Sequence, residues 1–452
     1  MMLALIILTL AGLLILFLGF SKIRNVLLPV AIVALVAAIF SLTTQQTFWN
    51  QYLTDMVQSD GISRKISLII MYTALGLLPF FNLFKGRGQE ELSDFLGIYL
   101  FAIIGSILMV SALNYMSLFL GVEILSISMY VLAGANRRSV HSNEASLKYF
   151  ITGSFTSAIM LFGIAWIYVE SASLSMVQLS GAATNMMSFG FLFLFTAFAL
   201  KVALVPFHFW APDVYQGTPT LFTASMATLV KIAAIGAFYR LVQLNYAVLP
   251  DWINWYFVLL ILATLILGNI QAVSQNSVKR LFAYSGIVQS GFILMGFLYQ
   301  SEFVDWTMLF YFIAYASASL VGFIVIHFVE TQSGSDNLDS FVGLSKSNPG
   351  LALVLTISLI SLAGGPLTAG FMAKIFMLSQ SIQNNFTALA LVAVISAVIS
   401  MYYYYKVINA IYSKSADASW SVPFYYKGLL YVFTVITLIA GLVPSFLIGL
   451  IK

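Results

Sequence analysis

Three lysines and one glutamate stand in stretches that are otherwise apolar. Glu123 lies in LFLGVEILSISMYVL, Lys201 in FGFLFLFTAFALKVALVPFHFW, Lys231 in TASMATLVKIAAIGAFYRL and Lys374 in LISLAGGPLTAGFMAKIFML. An ionisable side chain in a hydrocarbon layer costs about 2.5–3.5 kcal/mol on insertion scales, so such residues usually face a bundle interior and serve a pathway. Burial favours the neutral form of an acid or an amine, whereas pairing favours the charged forms. A Glu–Lys pair held between these two effects is poised to exchange a proton. Lysine suits that task better than arginine, whose charge is effectively fixed. The alternative is purely structural: a carboxylate and an ammonium that lock helix to helix. That fits one lysine better than three, because Glu123 is the only clearly mid-span carboxylate. The lysines are therefore expected to meet water.

The neighbours of these residues point to broken helices. Pro206, Pro212 and Pro219 follow Lys201, and Gly364, Gly365, Pro366 and Gly370 precede Lys374. Proline stops or kinks a helix, and a break at membrane depth exposes backbone groups to water and ions. His208, Trp210 and Asp213 cluster just beyond the first break. His208 is either a loop-end residue satisfied by backbone or a proton-exchange residue, since imidazole titrates near neutral pH. Thr223, Ser225 and Thr228 give the Lys231 stretch a hydroxylated face. Glu144 and Lys148 are four apart at the mouth of the sixth apolar stretch, the spacing of a helical ion pair; Lys148 could instead approach Glu123 across the 134–147 loop. Lys279 and Arg280 read as anchors at a membrane edge.

The elements that must position these residues are membrane spans. Of 452 residues, 61% are hydrophobic and 8% charged, against roughly 25% charged in a soluble domain. So few charges cannot cover a soluble protein of this size, and 38 Phe and 23 Tyr oppose disorder. Cysteine is absent, which excludes disulfides and cysteine-ligated iron–sulfur clusters, and three histidines cannot supply much of a metal or haem site. The net charge of +4 comes with no basic tract for nucleic acid and no nucleotide-binding fingerprint. With about 20 residues per span, fourteen candidates emerge: 2–20, 27–43, 64–84, 94–112, 115–133, 148–169, 189–208, 220–244, 252–272, 280–299, 304–328, 350–378, 386–411 and 428–450. The first has no basic n-region or small-residue cleavage site and reads as a retained span. Lys22, Arg24, Lys85, Arg87, Arg137, Arg138, Lys279, Arg280, Lys346, Lys414 and Lys427 all follow odd-numbered spans, which puts both termini outside the cytoplasm. The stretch 331–349 reads as a plain connecting loop. Lys201 and Lys374 are 173 residues and five spans apart. Five is odd, so two copies of such a unit would be inverted in the membrane, a transporter design.

The segments LFLGVEILSISMYVLAG, NEASLKYFITGSFTSAIMLFG, KVALVPFHFWAPDVYQGTPT, SVKRLFAYSGIVQSGFILMG and SLAGGPLTAGFMAKIFML, in that order, resemble the antiporter-like membrane subunits of respiratory complex I, in particular the NADH-quinone oxidoreductase subunit N family. The likeness covers spans four to thirteen, and the ends by span count. It implies an all-α polytopic membrane protein of about 14 transmembrane helices, with two inverted five-helix repeats containing broken helices. The implied divisions are a three-helix segment at 1–93, a first repeat at 94–245, a second at 246–412 and a last helix at 413–452. The family's helix-five glutamate falls on Glu123, and its lysines of helices six, seven, eight and twelve fall on Lys148, Lys201, Lys231 and Lys374. The implied activity is proton translocation coupled to quinone reduction elsewhere in the complex. Protons would enter near the broken seventh helix, close to His208, pass Lys201 and Lys231 along a hydrated axis, and leave near Lys374, with Glu123 modulating Lys201. No cofactor or metal is expected in this chain; quinone, NADH, FMN and iron–sulfur clusters would belong to partner subunits. The implied partners are other membrane-arm subunits, antiporter-like M-type and small K/J/A-type, and lipids, in a bacterial inner (plasma) membrane. Two departures stand out. Where relatives often carry a histidine in helix ten, this chain reads GIVQSG with Gln289, which cannot titrate but can orient water. The first helix ends LFLGF without the acid common in relatives. The rival readings are a subunit of a multi-subunit Na+/H+ antiporter and a structural membrane scaffold.

Overall fold

The computed structural model describes residues 1–21, 24–44, 55–84, 89–177, 183–413 and 421–451. Lys22, Lys85, Arg87 and Lys414, four of the charges that suggest the orientation, lie outside the described residues. The described elements are helices, with three isolated β-bridges between connecting segments. In chain order they are α1 (Met2–Gly19), α2 (Leu27–Thr43), α3 (Gly61–Leu77), α4 (Gln89–Ser111), α5 (Tyr115–Ala133), α6 (Val140–Ser171), α7 (Asn185–Val202), α8 (Trp210–Gly217), α9 (Thr220–Ser225), α10 (Lys231–Asn245), α11 (Trp252–Val273), α12 (Val278–Leu294), α13 (Glu302–Ser333), α14 (Leu344–Ser347), α15 (Pro349–Ala363), α16 (Ala369–Gln383), α17 (Thr387–Tyr412), α18 (Phe424–Leu442) and α19 (Pro444–Ile451). Among the described residues, twelve helices are long and apolar enough to cross a membrane, α9 and α10 forming one continuous span. Two more apolar helices, α2 and α15, are shorter.

Two helix ends differ from the hydropathy pattern, each for a local reason, and the break expected before Lys374 is present. α6 begins at Val140, eight residues before the apolar run, because Ser139 caps it by accepting from the Ser142 N–H at 3.3 Å. The helix thus takes Glu144 and Lys148 into its first turns. α7 stops at Val202, although the apolar run continues to 208; Ala203 has φ +62° and Pro206 follows. The 350–378 stretch is two helices, α15 and α16, separated at Gly364–Thr368. The segment 331–349 is also more ordered than a plain loop. It carries a 3-10 turn at Leu338–Phe341 and α14, and it is pinned by Val278 N–H to Asp336 O at 2.8 Å and Leu338 N–H to Asn276 O at 2.9 Å.

The chain divides into two compact units, Met1–Val202 with Gly217–Ile253, and Ala203–Gln216 with Asn254–Lys452. Within the first, α10 is buried along nearly its whole length, and α7 packs on it through a stacked pair of rings, Phe198 and Phe238, with centroids 5.1 Å apart. α6 is an outer helix that exposes Phe150, Phe155 and Phe162, the lipid-facing pattern of a membrane bundle. Within the second, α12 and α13 are the buried helices, while α17 and α18 expose Leu391, Val398 and Val432.

Small residues let the helices that carry the chemistry approach closely, as is usual in membrane bundles. Gly121 on α5 lies against the backbone of Met109 on α4, and a Cβ there would collide with Met109 N and Cα. Replacing Gly121 by Val should push α4 and α5 apart and lower stability by about 1–3 kcal/mol, the usual cost of overpacking. The check is the thermal unfolding of the detergent-solubilised protein; unchanged melting would contradict the close crossing.

Candidate functional site

In the first unit the site is built on α5. Glu123, Ser126 and Tyr130 are spaced by three and four residues and so share one face. Asn114 starts that helix, accepting from the Met116 N–H at 2.8 Å. Lys201, in the last turn of α7, reaches this face: its Nζ donates to Ser126 Oγ and lies 5.8 Å from the centre of the Tyr130 ring. Ser126 Oγ in turn donates to Val122 O. Glu123 accepts from Ser157 Oγ on α6, and among the described residues it forms no ion pair with Lys201. Gly153 on α6 leaves room for the Tyr130 hydroxyl, which a Cβ would strike.

Lys231 follows a feature that the sequence does not display. Residues Met226–Val230 form a π-helical turn inside the span, and Lys231 is the first residue after it. Such turns widen a helix locally and recur at functional positions. Lys231 is buried, and among the described residues its ammonium has no hydrogen-bond or ion-pair partner. The hydroxyls of Thr223, Ser225 and Thr228 are fully buried and donate to carbonyls of their own segment. They therefore offer lone pairs rather than free donors.

In the second unit Lys374 sits at the break between α15 and α16. Gly364, at φ +86°, ends α15 in a left-handed turn, the conformation glycine adopts without a Cβ penalty. Lys374 Nζ donates to Leu362 O and to Ala363 O, each at 2.9 Å, and lies 4.7 Å from the centre of the Phe292 ring. The ammonium thus meets the negative end of the α15 dipole. Relative exposures of 7% for Lys201, 5% for Lys231 and 4% for Lys374 place all three inside the protein. Among the described residues, none forms an ion pair with a carboxylate.

His208 lies in the segment after α7. Its Nε2 is 2.7 Å from Gln271 Oε1, so this nitrogen carries the hydrogen, and Nδ1 is buried without a protein partner. It is therefore not a loop-end residue satisfied by backbone. Lys148 pairs with Glu144 at 2.8 Å, and both side chains are largely exposed. It stands nine residues from Ser157, about 13 Å along α6, so its ion pair belongs to the mouth of the helix rather than to Glu123.

Sequence reasoning missed the paired cations. Arg240 is buried near the end of α10, donates through Nε and Nη2 to Asp60 Oδ2 at 2.9 and 2.6 Å, and caps Ala112 O. Its place in an apolar run was a visible signal, but a partner 180 residues away was not. Lys279 and Arg280 are not simple edge anchors. Lys279 is buried and pairs with Glu330 at 3.1 Å, and Arg280 binds Asp213 at 2.7 Å and Gln216 at 3.1 Å. No cluster of three His, Asp or Glu suited to a metal occurs among the described residues.

Comparison with known proteins assigns the arrangement to a family. The family described as NADH:quinone oxidoreductase/Mrp antiporter, TM, matches residues 112–400. The NADH-quinone oxidoreductase subunit N of Flavobacterium psychrophilum is 37% identical over 434 residues, covering 95% of each chain. That of Cytophaga hutchinsonii is 36% identical over 451 residues, covering 98% of each. The chain belongs to the subunit N family. A chain of respiratory complex I from Thermus thermophilus superposes with a TM-score of 0.85 at 27% identity, covering 99% of this chain and 98% of that one. A chain of the Mrp complex from Dietzia sp. DQ12-45-1b reaches 0.86 at 21% identity over 100% of this chain and 96% of that one, which shows a shared fold.

Two outcomes follow for this subunit N chain. Asp60→Ala should cost about 3 kcal/mol, because it leaves the buried Arg240 guanidinium uncompensated; thermal unfolding reads it, and an unchanged melting temperature would exclude the pairing. Gly364→Ala should cost roughly 1–2 kcal/mol for the left-handed turn. Its Cβ would also press on Lys374 Cδ, 2.9 Å away, so proton pumping should fall further than assembly. Equal losses in the two would contradict the stated contact.

Proposed function

We propose that this chain is a proton-translocating membrane-arm subunit of an NADH-quinone oxidoreductase, without a redox centre of its own. The observation that carries the reading is the set of three buried lysines, none of which forms an ion pair. A buried ammonium fixed to a carboxylate is a structural charge. One held by a hydroxyl, by carbonyls or by nothing can lose and regain its proton as water reaches it. Lys201, Lys231 and Lys374 are the proton carriers in this reading. Glu123, whose carboxylate accepts from Ser157, tunes Lys201 through charge rather than through an ion pair. His208, in the segment that follows α7 in the chain, is the proton-entry residue of this reading, through the nitrogen that Gln271 leaves open. Lys148 supplies charge at the mouth of α6.

The wider assembly completes the reading. Electron transfer from NADH to quinone takes place in partner subunits, where FMN and iron–sulfur clusters reside, and the neighbours are an antiporter-like M-type subunit, small K/J/A-type subunits and lipids. The membrane is a bacterial plasma membrane with both termini on the periplasmic side. Twelve long spans, the shorter α2 and the α15–α16 pair make fourteen crossings; spans four to eight and nine to thirteen are two inverted repeats. Full-length relatives named subunit N support this reading over an Na+/H+ antiporter subunit.

The test is Lys231→Ala in the assembled complex. Removing a cation that has no protein partner leaves no orphaned charge behind, so assembly should persist. NADH-driven proton pumping should fall at least about tenfold, which corresponds to about 1.4 kcal/mol on the transfer step. Failed assembly with normal pumping per assembled complex would favour a scaffold.

A further inference from the structure

Lys374 is not the only donor at the end of α15. The helix closes with Gly364 N–H bonded to Ser361 O at 3.0 Å and Gly365 N–H bonded to Ile360 O at 2.8 Å. Those two contacts satisfy two of the carbonyls that a helix end leaves open. The last two, Leu362 O and Ala363 O, face Lys374. Leu362 O also accepts from Gln289 Nε2 at 2.7 Å, and Gln289 Oε1 accepts from the Tyr311 hydroxyl at 2.6 Å. The orientation of this amide is fixed by chemistry. A backbone carbonyl can only accept, so the amide must turn its NH2 to Leu362 and its oxygen to Tyr311. All of these groups are buried. The chain therefore runs from the hydroxyl on α13, through the amide on α12, to the carbonyl on α15 that Lys374 on α16 also uses.

We propose that Gln289 and Tyr311 are positioning residues for Lys374: they hold the Leu362 carbonyl where the ammonium meets it, and they keep that carbonyl satisfied when the amine moves away. The proposal rests on the reading of Lys374 as a proton carrier. A carbonyl has two lone pairs, one filled here by Gln289 and one by Lys374. A carrier must leave its site as well as enter it. Departure from a carbonyl with no second donor would orphan a buried acceptor, which costs more than a typical hydrogen bond contributes. With Gln289 in place, Leu362 O retains a donor in both positions of the lysine. Tyr311 does the same for the far end of the amide, donating to its oxygen beside the Tyr404 hydroxyl, which also interacts with the Gln289 side chain. Gln289 needs no titration for this role.

The experiment compares Gln289→Met, Tyr311→Phe and Gln289→His in the assembled complex reconstituted into liposomes, with NADH-driven proton pumping expressed per assembled complex. Met keeps the volume of the side chain, and Phe keeps the ring, so both preserve packing. Each should lower pumping about 3- to 10-fold, the range expected from one net hydrogen bond. A neutral imidazole has one donor and one acceptor nitrogen, so Gln289→His should stay within about twofold of the original rate. Original pumping rates in Gln289→Met or Tyr311→Phe would overturn the proposal. A Gln289→His variant as slow as Gln289→Met would do so as well, since shape rather than hydrogen bonding would then matter. Lys374→Ala separates the two levels. If it pumps normally, the carrier reading itself falls; if it is inactive while Gln289→Met and Tyr311→Phe pump normally, only the positioning role falls.

Discussion

A cation buried without a counter-ion is the constraint on which this chain depends. Lys201 is held by one serine hydroxyl and a tyrosine ring, Lys374 by two carbonyls and a phenylalanine ring, and Lys231 by no described group. Neutral acceptors stabilise an ammonium less than a carboxylate does. Arg240, Lys279 and Arg280 are the contrast within the same chain. Each has a carboxylate, Asp60, Glu330 or Asp213, at 2.6–3.1 Å. Those pairs tie helix ends together, and breaking one leaves a charge without compensation. The chain thus separates cations paired with a carboxylate from cations held otherwise, and the separation follows the identity of the acceptor.

The backbone creates the second class. An intact helix has no polar group to offer a buried ammonium, because every carbonyl is bonded four residues on. Near each of the three lysines that regularity is interrupted: α7 ends one residue after Lys201, a π turn directly precedes Lys231, and α15 ends beneath Lys374. Proline and glycine account for the first and last interruptions. The π turn in MATLV has no such residue.

The readability of the sequence follows the same division. A lysine in an apolar run is conspicuous, and Glu123, Lys201, Lys231 and Lys374 could be singled out by that alone. Breaks marked by Pro206 and by Gly364–Pro366 were legible for the same reason. Partners were not. That Asp60 would answer Arg240, or Glu330 answer Lys279, depends on tertiary packing across 180 and 51 residues. Helix ends were misjudged where polar residues continue a helix past its apolar part, as at Val140, and where an apolar run outlasts the helix, as beyond Val202. Hydropathy reports contact with lipid, whereas a cap or a proline decides where the hydrogen-bond ladder stops. Gln289 was legible as a residue that cannot titrate, but its use of both ends of the amide could only come from the geometry.

The two broken helices also show what such a site requires. The lysines are 173 residues apart, but they do not stand alike in their breaks: Lys201 precedes its break in the chain, and Lys374 follows its own. They also meet the helix ends differently. Lys201 lies in the last turn of α7, and the ammonium of Lys374 lies on the last carbonyls of α15. The Lys201 ammonium turns to Ser126 Oγ on α5, whereas that of Lys374 stands at a helix C-terminus, where unpaired carbonyls amount to about half a negative charge. That partial charge attracts an ammonium without binding it as a full carboxylate would. It also cannot be neutralised by protonation, so it persists whatever the charge of the lysine. A carboxylate in the same place would compete for the proton itself.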